Sequence, residues 1–253
     1  SFEVEELMRA MRTNHQSRQR LRTDVLNILA WEEPILFACE RMSRSDEAGV
    51  HAVAATVLEA IAIDPMLAAE MIYRSSADVW AEIKEKIVAF VGKWHINGSV
   101  DRAVHFMINT GRSEFASQIW PLISNADSQV HLKALRAGRR FRPSVLGNDI
   151  QARIAELPEE LRRHVISEII HQSGIDGIEL AARIAKADTS PKVQASAAEA
   201  LQFRRADRFV TEILRSASDD VYFLLASKGY AEEIVDSDVA ARLRQQQQRY
   251  IES

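Results

Sequence analysis

One cysteine in 253 residues, Cys39, excludes an internal disulfide as a source of stability. Its setting, Ile35-Leu36-Phe37-Ala38-Cys39, marks it as a small buried hydrophobe rather than a reactive thiol. Glycine and proline number only 9 and 6, too few turn formers for an all-β fold. No apolar run approaches the ~20 residues that span a bilayer, and no basic-then-apolar leader opens the chain. A reducing, cytoplasmic setting without membrane contact is therefore expected. Ser1 rather than Met stands first, which keeps open a fragment of a longer protein whose other domains hold the chemistry. Neither charge dominates: 32 Lys and Arg face 36 Asp and Glu, for a net charge of −4. That balance gives no global attraction to nucleic acid, so any such binding needs a local patch.

Catalytic patterns are also missing. The seven histidines are His15, His51, His95, His105, His131, His164 and His171, and none forms the i, i+4 pair with an acid that a zinc-binding helix uses. Gly92-Lys93 is the only Gly-Lys pair and position 87 is Ile, so there is no phosphate-cradling loop. The acid pairs Glu5-Glu6, Glu32-Glu33, Glu159-Glu160, Asp219-Asp220 and Glu232-Glu233 fall at helix starts or solvated faces, where capping and the helix dipole account for them. The expectation is a protein that is not an enzyme, with no catalytic residue, no metal and no cofactor.

What the chain has in quantity is helix. Its apolar fraction is 47%, rich in Ala and Leu, and Arg, Glu and Gln fill the polar positions. Apolar periodicity predicts helices over 2–11, from Trp31-Glu32-Glu33-Pro34 to about 43, along the Val50-Val53-Ala54-Val57-Leu58-Ile61 stripe, from Asp64-Pro65 to about 75, and over 79–94 behind an Asp78 cap. A shorter helix through Val100-Val104-Met107-Ile108 ends at Gly111 and reads as an irregular insert. Next come 113–125 interrupted at Pro121, 129–141, a loop over 142–149, and helices over 150–157, 159–172, 176–187, 191–204, 206–216, 219–228 and 237–251. Four tryptophans, Trp31, Trp80, Trp94 and Trp120, sit in apolar helical contexts and read as core.

One pattern returns three times: an apolar helix end, an acidic turn, then a Val-led helix with small residues. The copies run Pro121 to Val130 with Ala134 and Ala137, Ile184 to Val193 with Ala197 and Ala200, and Ile213 to Val221 with Leu225. The leading positions Val130, Leu161, Val193 and Val221 are 31, 32 and 28 residues apart. Four positions on stand Ala134, Val165, Ala197 and Leu225, and eight on stand Gly138, Ile169, Leu201 and Gly229, all apolar or small. A helix pair cannot bury its apolar face alone, so such copies must stack.

This pattern resembles the HEAT repeat family, most closely in Trp120-Pro121-Leu122-Ile123 through Asp127, Val130, Ala134 and Ala137. The resemblance covers 113–229, and 34–95 more loosely. It implies an all-α, right-handed α-solenoid of antiparallel helix pairs, about six in number. The expected organisation is a single solenoid domain: cap helices over 1–33, irregular pairs over 34–111, regular repeats over 112–235 and a cap helix over 236–253. Asp127, Asp188 and Asp219 are expected to cap the second helices. A further stretch, Leu26-Asn27-Ile28-Leu29-Ala30-Trp31-Glu32-Glu33-Pro34-Ile35-Leu36, resembles the entrance to the helical array of NACHT- or STAND-type signalling ATPases. It implies a sensor segment without the motor.

The sharpest local feature is basic. Between Asp127 and Asp149 there is no acid, yet Lys133, Arg136, Arg139, Arg140 and Arg142 fall there. On a helix, Lys133, Arg136 and Arg140 form one stripe, while Val130, Ala134, Ala137 and Phe141 form another that faces the core. Second helices line the concave side of HEAT-like arrays, so the binding stripe is Lys133, Arg136, Arg139 and Arg140. Arg162-Arg163 and Arg204-Arg205-Arg208 are candidates to extend it. The competing account is a solvated face balanced by acids of the neighbouring repeat. The leading expectation is a non-enzymatic scaffold, a protein-interaction or sensor segment that receives a protein or peptide partner in the groove. The alternative is a nucleic-acid-binding array or, since some HEAT-like proteins are glycosylases for alkylated bases, a base-repair enzyme of that type, for which Trp120, Asp127 and Arg136 are the right residue types.

Overall fold

A computed structural model describes residues 2–228 and 236–252. They form α-helices with no strand among them, so the chain is all-α. It divides into two compact units, residues 1–119 and 120–253. No helix in the described residues is long and apolar enough to cross a membrane.

The first unit holds α1 (Phe2–Ala10), α2 (His15–Arg20), α3 (Glu32–Met42), α4 (Glu47–Ala60), α5 (Pro65–Arg74), α6 (Ala77–Trp94) and α7 (Arg102–Thr110). Short polar side chains start these helices. Asn14 accepts from the Gln16 and Ser17 amides, Asp46 from Gly49, Asp64 from Met66 and Leu67, and Asp101 from Val104. Each satisfies donors that have no partner within the helix. α6 begins two residues earlier than expected, with Ser76 as its N-cap and Asp78 inside the first turn. α7 stops at Gly111, whose φ of 62° suits glycine.

Within this unit α3, α5 and α7 pack in succession, and α4 packs on α6 behind them. The segment read as an irregular insert, α7, is the third member of the first row. Between the rows Ile35, Leu36, Val53, Val57, Met71, Ile72, Ile83 and Phe106 are buried, as is Cys39. Burial pushes the Cys39 thiol up to about 12, so it carries no thiolate near neutral pH. Trp80 is buried, whereas Trp31 and Trp94 are only half-buried. Ile28 and Leu29 stand exposed at a single tight turn, Leu29–Trp31.

α8 (Ala116–Ile123) carries Pro121 inside it and crosses from the first unit into the second. The second unit holds α9 (Ser128–Leu135), α10 (Ile150–Ala155), α11 (Glu159–Gln172), α12 (Ile175–Ala187), α13 (Pro191–Phe203), α14 (Asp207–Leu214), α15 (Asp219–Ala226) and α16 (Ser237–Glu252). α9, α11, α13 and α15 pack in succession as one row. α12 packs on α14 in a second row that meets α11 and α13, and α16 packs on α15. These four successive helices are the ones whose leading residues recur at the repeat spacing. Their in-phase residues Ala134, Val165, Ile169, Val193, Ala197, Leu201, Val221 and Leu225 are all buried. Gly229 and Glu232-Glu233 lie outside the described residues.

Three local readings need correction. α9 ends at Leu135 rather than near 141: Arg136 leaves helical geometry at ψ 6°, and residues 136–140 form bends around Gly138. Asp188 does not cap α13. Pro191 takes the first helical position, which makes Ser190 the cap, and Asp188 instead accepts the Ser190 amide and the Arg162 guanidinium. Asp219 stands in the first turn of α15 behind Ser218. Asp127 does cap α9, accepting from Gln129 at 2.8 Å.

Candidate functional site

The buried residues of α13 include Val193, Ala197, Ala200 and Leu201, which leaves Lys192, Ser196, Glu199 and Phe203 on the side turned outward at helical spacing. Contacts between neighbouring helices tie the row together, from buried His131 and Glu168 to exposed Phe203. His131 of α9 meets His164 of α11, with ring centroids 5.6 Å apart. Arg136 reaches Glu168, His171 meets Phe203, and Lys228 pairs with Glu199 at 2.5 Å. The row therefore presents one continuous outer face from α9 to α15.

Along this face the basic residues separate into different roles. Arg136 holds Glu168 in a two-point clasp, with Nε–Oε2 at 2.9 Å and Nη2–Oε1 at 2.5 Å. Burial works to raise the Glu168 carboxyl, but the Arg136 hydrogen bond and charge hold it below the usual carboxylate range. The Glu168 hydrogen bond raises Arg136 in turn. Arg136 is thus balanced by an acid of the next helix in its row. Lys133 is exposed on α9 and enters no ion pair among the described residues. Arg139 and Arg140 are exposed in the bends beyond α9. The four are brought to one end of the face, but as a helix and a bend rather than one helical stripe.

Of the proposed extensions, Arg162 and Arg163 are engaged elsewhere, with Asp188 and Glu160. Arg208 pairs with Glu212. Arg204 binds the carbonyls of His171 and Ser173 at the end of α11. Arg205 makes no side-chain bond among the described residues and lies beside Phe203, which is 77% exposed. Sequence reading passed over Phe203, His171 and Ile175, which is 66% exposed. The available signal was the outward spacing from Lys192 to Phe203.

Two histidines of this row, His164 and His171, are shifted by their surroundings. Burial holds His164 below its usual range, helped by Arg163 and His131. Burial likewise lowers His171, with Glu168 opposing and Arg204 and Arg136 assisting. The unfolded chain therefore binds these protons more readily than the folded one. Stability should be complete above about pH 6.5 and fall as pH drops through the folded-state values. Thermal unfolding at about pH 5.5 is expected to begin at lower temperature than at about pH 7.5. The His164→Gln, His171→Gln double variant should flatten that slope. An unchanged slope would place the sensitivity elsewhere. His131 is buried, and its Nδ1 lies 3.3 Å from the Asn125 carbonyl. A carbonyl only accepts, so Nδ1 donates, and the buried Nε2 has no hydrogen-bond partner among the described residues.

The residues named for base-repair chemistry are held in structural roles. Trp120 is buried with the Arg153 guanidinium over its ring, Asp127 caps α9 and Arg136 clasps Glu168. Among the described residues no three His, Cys, Asp or Glu side chains gather as a metal requires. No family model, curated protein or solved structure matches the chain.

Proposed function

We propose that this chain is a non-enzymatic binding scaffold of the HEAT type, an interaction or sensor segment that receives a protein partner on the outer face of the α9–α15 row. The carrying observation is the row itself. Four helices at nearly constant spacing bury equivalent small and branched residues, and their opposite sides form a face with cations at one end. Such a face recognises shape and charge without needing a reacting group. Lys133, Arg136, Arg139 and Arg140 supply the charged contact, with Arg136 positioned by Glu168. The resemblance to NACHT- and STAND-type arrays in 26–36 supports the same assignment, a sensing segment whose motor lies in another module.

Binding of a labelled short Glu peptide in about 50 mM salt tests this reading. Lys133→Glu with Arg140→Glu is expected to weaken it by at least about tenfold, since two attractions become repulsions. Equal binding by the double variant would remove the site assignment. A labelled single-stranded DNA run in parallel decides the competing reading: binding to DNA but not to peptide, lost steeply by about 200 mM salt, would replace the protein partner with a nucleic acid.

A further inference from the structure

The most exposed aromatic ring among the described residues sits at the end of α13, followed by two arginines: Phe203-Arg204-Arg205. The helix ends there in a tight motif. The Ala206 amide donates to the Leu201 carbonyl at 2.9 Å, and the Arg205 amide to the Gln202 carbonyl at 2.8 Å. This motif puts the residue after the cap in the left-handed region, where glycine is favoured because it has no Cβ. Here that residue is Arg205, at φ 54°, the one non-glycine with positive φ among the described residues. α7 ends with glycine in the same conformation, at Gly111. A strained arginine beside an exposed phenylalanine is costly to the fold, and packing accounts for neither. An observed outlier of this kind points to use.

The surroundings are basic and partly apolar. Arg204 lies over the end of α11 through its bonds to the His171 and Ser173 carbonyls. The His171 ring meets Phe203 edge-on, with centroids 5.4 Å apart. Arg140 reaches the same place from the bend after α9: its Nη1 is 3.8 Å from where a Cβ on Gly174 would be. Ile175 follows, exposed. Arg140 and Arg205 enter no ion pair among the described residues. The acids nearest along the chain, Asp176 and Asp207, stand in the first turns of α12 and α14, where the helix dipole places them.

We propose that Arg140, His171, Phe203, Arg204 and Arg205 form a docking site for an acidic protein segment that carries an apolar side chain among its carboxylates. The proposal rests on the scaffold reading and names the partner's chemistry. Carboxylates meet the guanidinium groups of Arg140 and Arg205, and the apolar side chain covers Phe203 and Ile175. A single-stranded nucleic acid fits less well. It needs successive stacking platforms, and here one ring is already met by a histidine edge.

The test uses the whole chain and two labelled probes, a short peptide of Glu alone and the same peptide with two adjacent Leu. The Leu-bearing probe is expected to bind about tenfold more tightly. Phe203→Ser should remove that advantage and leave the Glu peptide's affinity unchanged. Arg205→Gly is the decisive variant because it cannot fail by unfolding. It should raise the melting temperature by about 2–4 °C and weaken both probes several-fold. Arg208→Ala, whose partner is Glu212, is the control and should change neither affinity. The docking site is overturned if Phe203→Ser and Arg205→Gly bind both probes as the parent does. If Lys133→Glu alone still weakens both probes in that case, the scaffold reading stands without this site. Absence of binding to either probe by the parent protein overturns both, and preference for single-stranded DNA over both peptides overturns the acidic-segment partner.

Discussion

Replacing Arg162 with Met is expected to destabilise the second unit by about 3–5 kcal/mol, one of the largest single losses in the molecule. Arg162 and Asp188 are both largely withdrawn from water, their side chains 16% and 6% exposed. The guanidinium meets the carboxylate at two points, 2.7 and 3.1 Å, and also donates to the Leu157 carbonyl at 2.8 Å. Asp188 in turn accepts the Ser190 amide, which sets the turn from α12 into α13. Removing the cation alone leaves a carboxylate buried without its partner, and that penalty dominates. The pair itself contributes far less, because burying two charges offsets most of their attraction. Arg162→Met with Asp188→Asn should therefore recover much of the loss while keeping an acceptor for Ser190. Urea denaturation of the parent, both single variants and the double variant gives the coupling directly. A double variant no more stable than Arg162→Met would mean that the turn, and not the charge, carries the effect.

That pair also shows which parts of the fold could be read from residues alone. Helix number and most helix limits in the second unit follow from apolar spacing, because burial in a packed row selects Val193, Ala197 and Leu201 at a helical period. The same rule misplaced the end of α9. Ala134, Ala137 and Phe141 are all buried as the period requires, but the backbone bends at Arg136, so the burial pattern outlasts the helix. Gly138 was the local signal of that ending. Asp188 was taken for a cap because it is acidic and precedes a helix. Pro191 at the first helical position marks Ser190 instead, and only the fold reveals Arg162 as the partner of Asp188.

The candidate site was legible as composition and not as arrangement. An acid-free basic stretch is visible in the letters from Asp127 to Asp149. That Arg136 clasps a glutamate on the next helix of its row, while Arg140 reaches Gly174 at the start of α12, depends on contacts between helices distant in sequence. Phe203, despite its outward spacing from Lys192, was passed over as a surface residue because an aromatic at helical spacing ordinarily belongs to the core. Arg205 was invisible as a strained one because the letters do not print φ.

The other large effect concerns the end of the same row. Tyr222 of α15 is fully buried, its hydroxyl donates to the Leu214 carbonyl at 2.7 Å, and Arg242 of α16 lies over its ring at 4.0 Å. Burial raises the phenol above its usual value, so it remains a donor throughout the neutral range. One side chain thus joins the end of α14, α15 and the helix that covers them. Arg242 adds a second tie to Asp219 at 2.9 Å. Tyr222→Ala should lose about 3–5 kcal/mol, as truncation of a buried ring does. Tyr222→Phe removes only the hydrogen bond, but it leaves the Leu214 carbonyl without that partner, a loss of about 1–2 kcal/mol. The two variants therefore separate ring from hydroxyl. If α16 is held mainly through the ring, amide exchange in α16 should accelerate in Tyr222→Ala and stay near the parent's rate in Tyr222→Phe. Equal acceleration in both would assign the tie to the hydroxyl, and no acceleration in either would show that Val239 and Leu243, buried on α16, hold the covering helix by themselves.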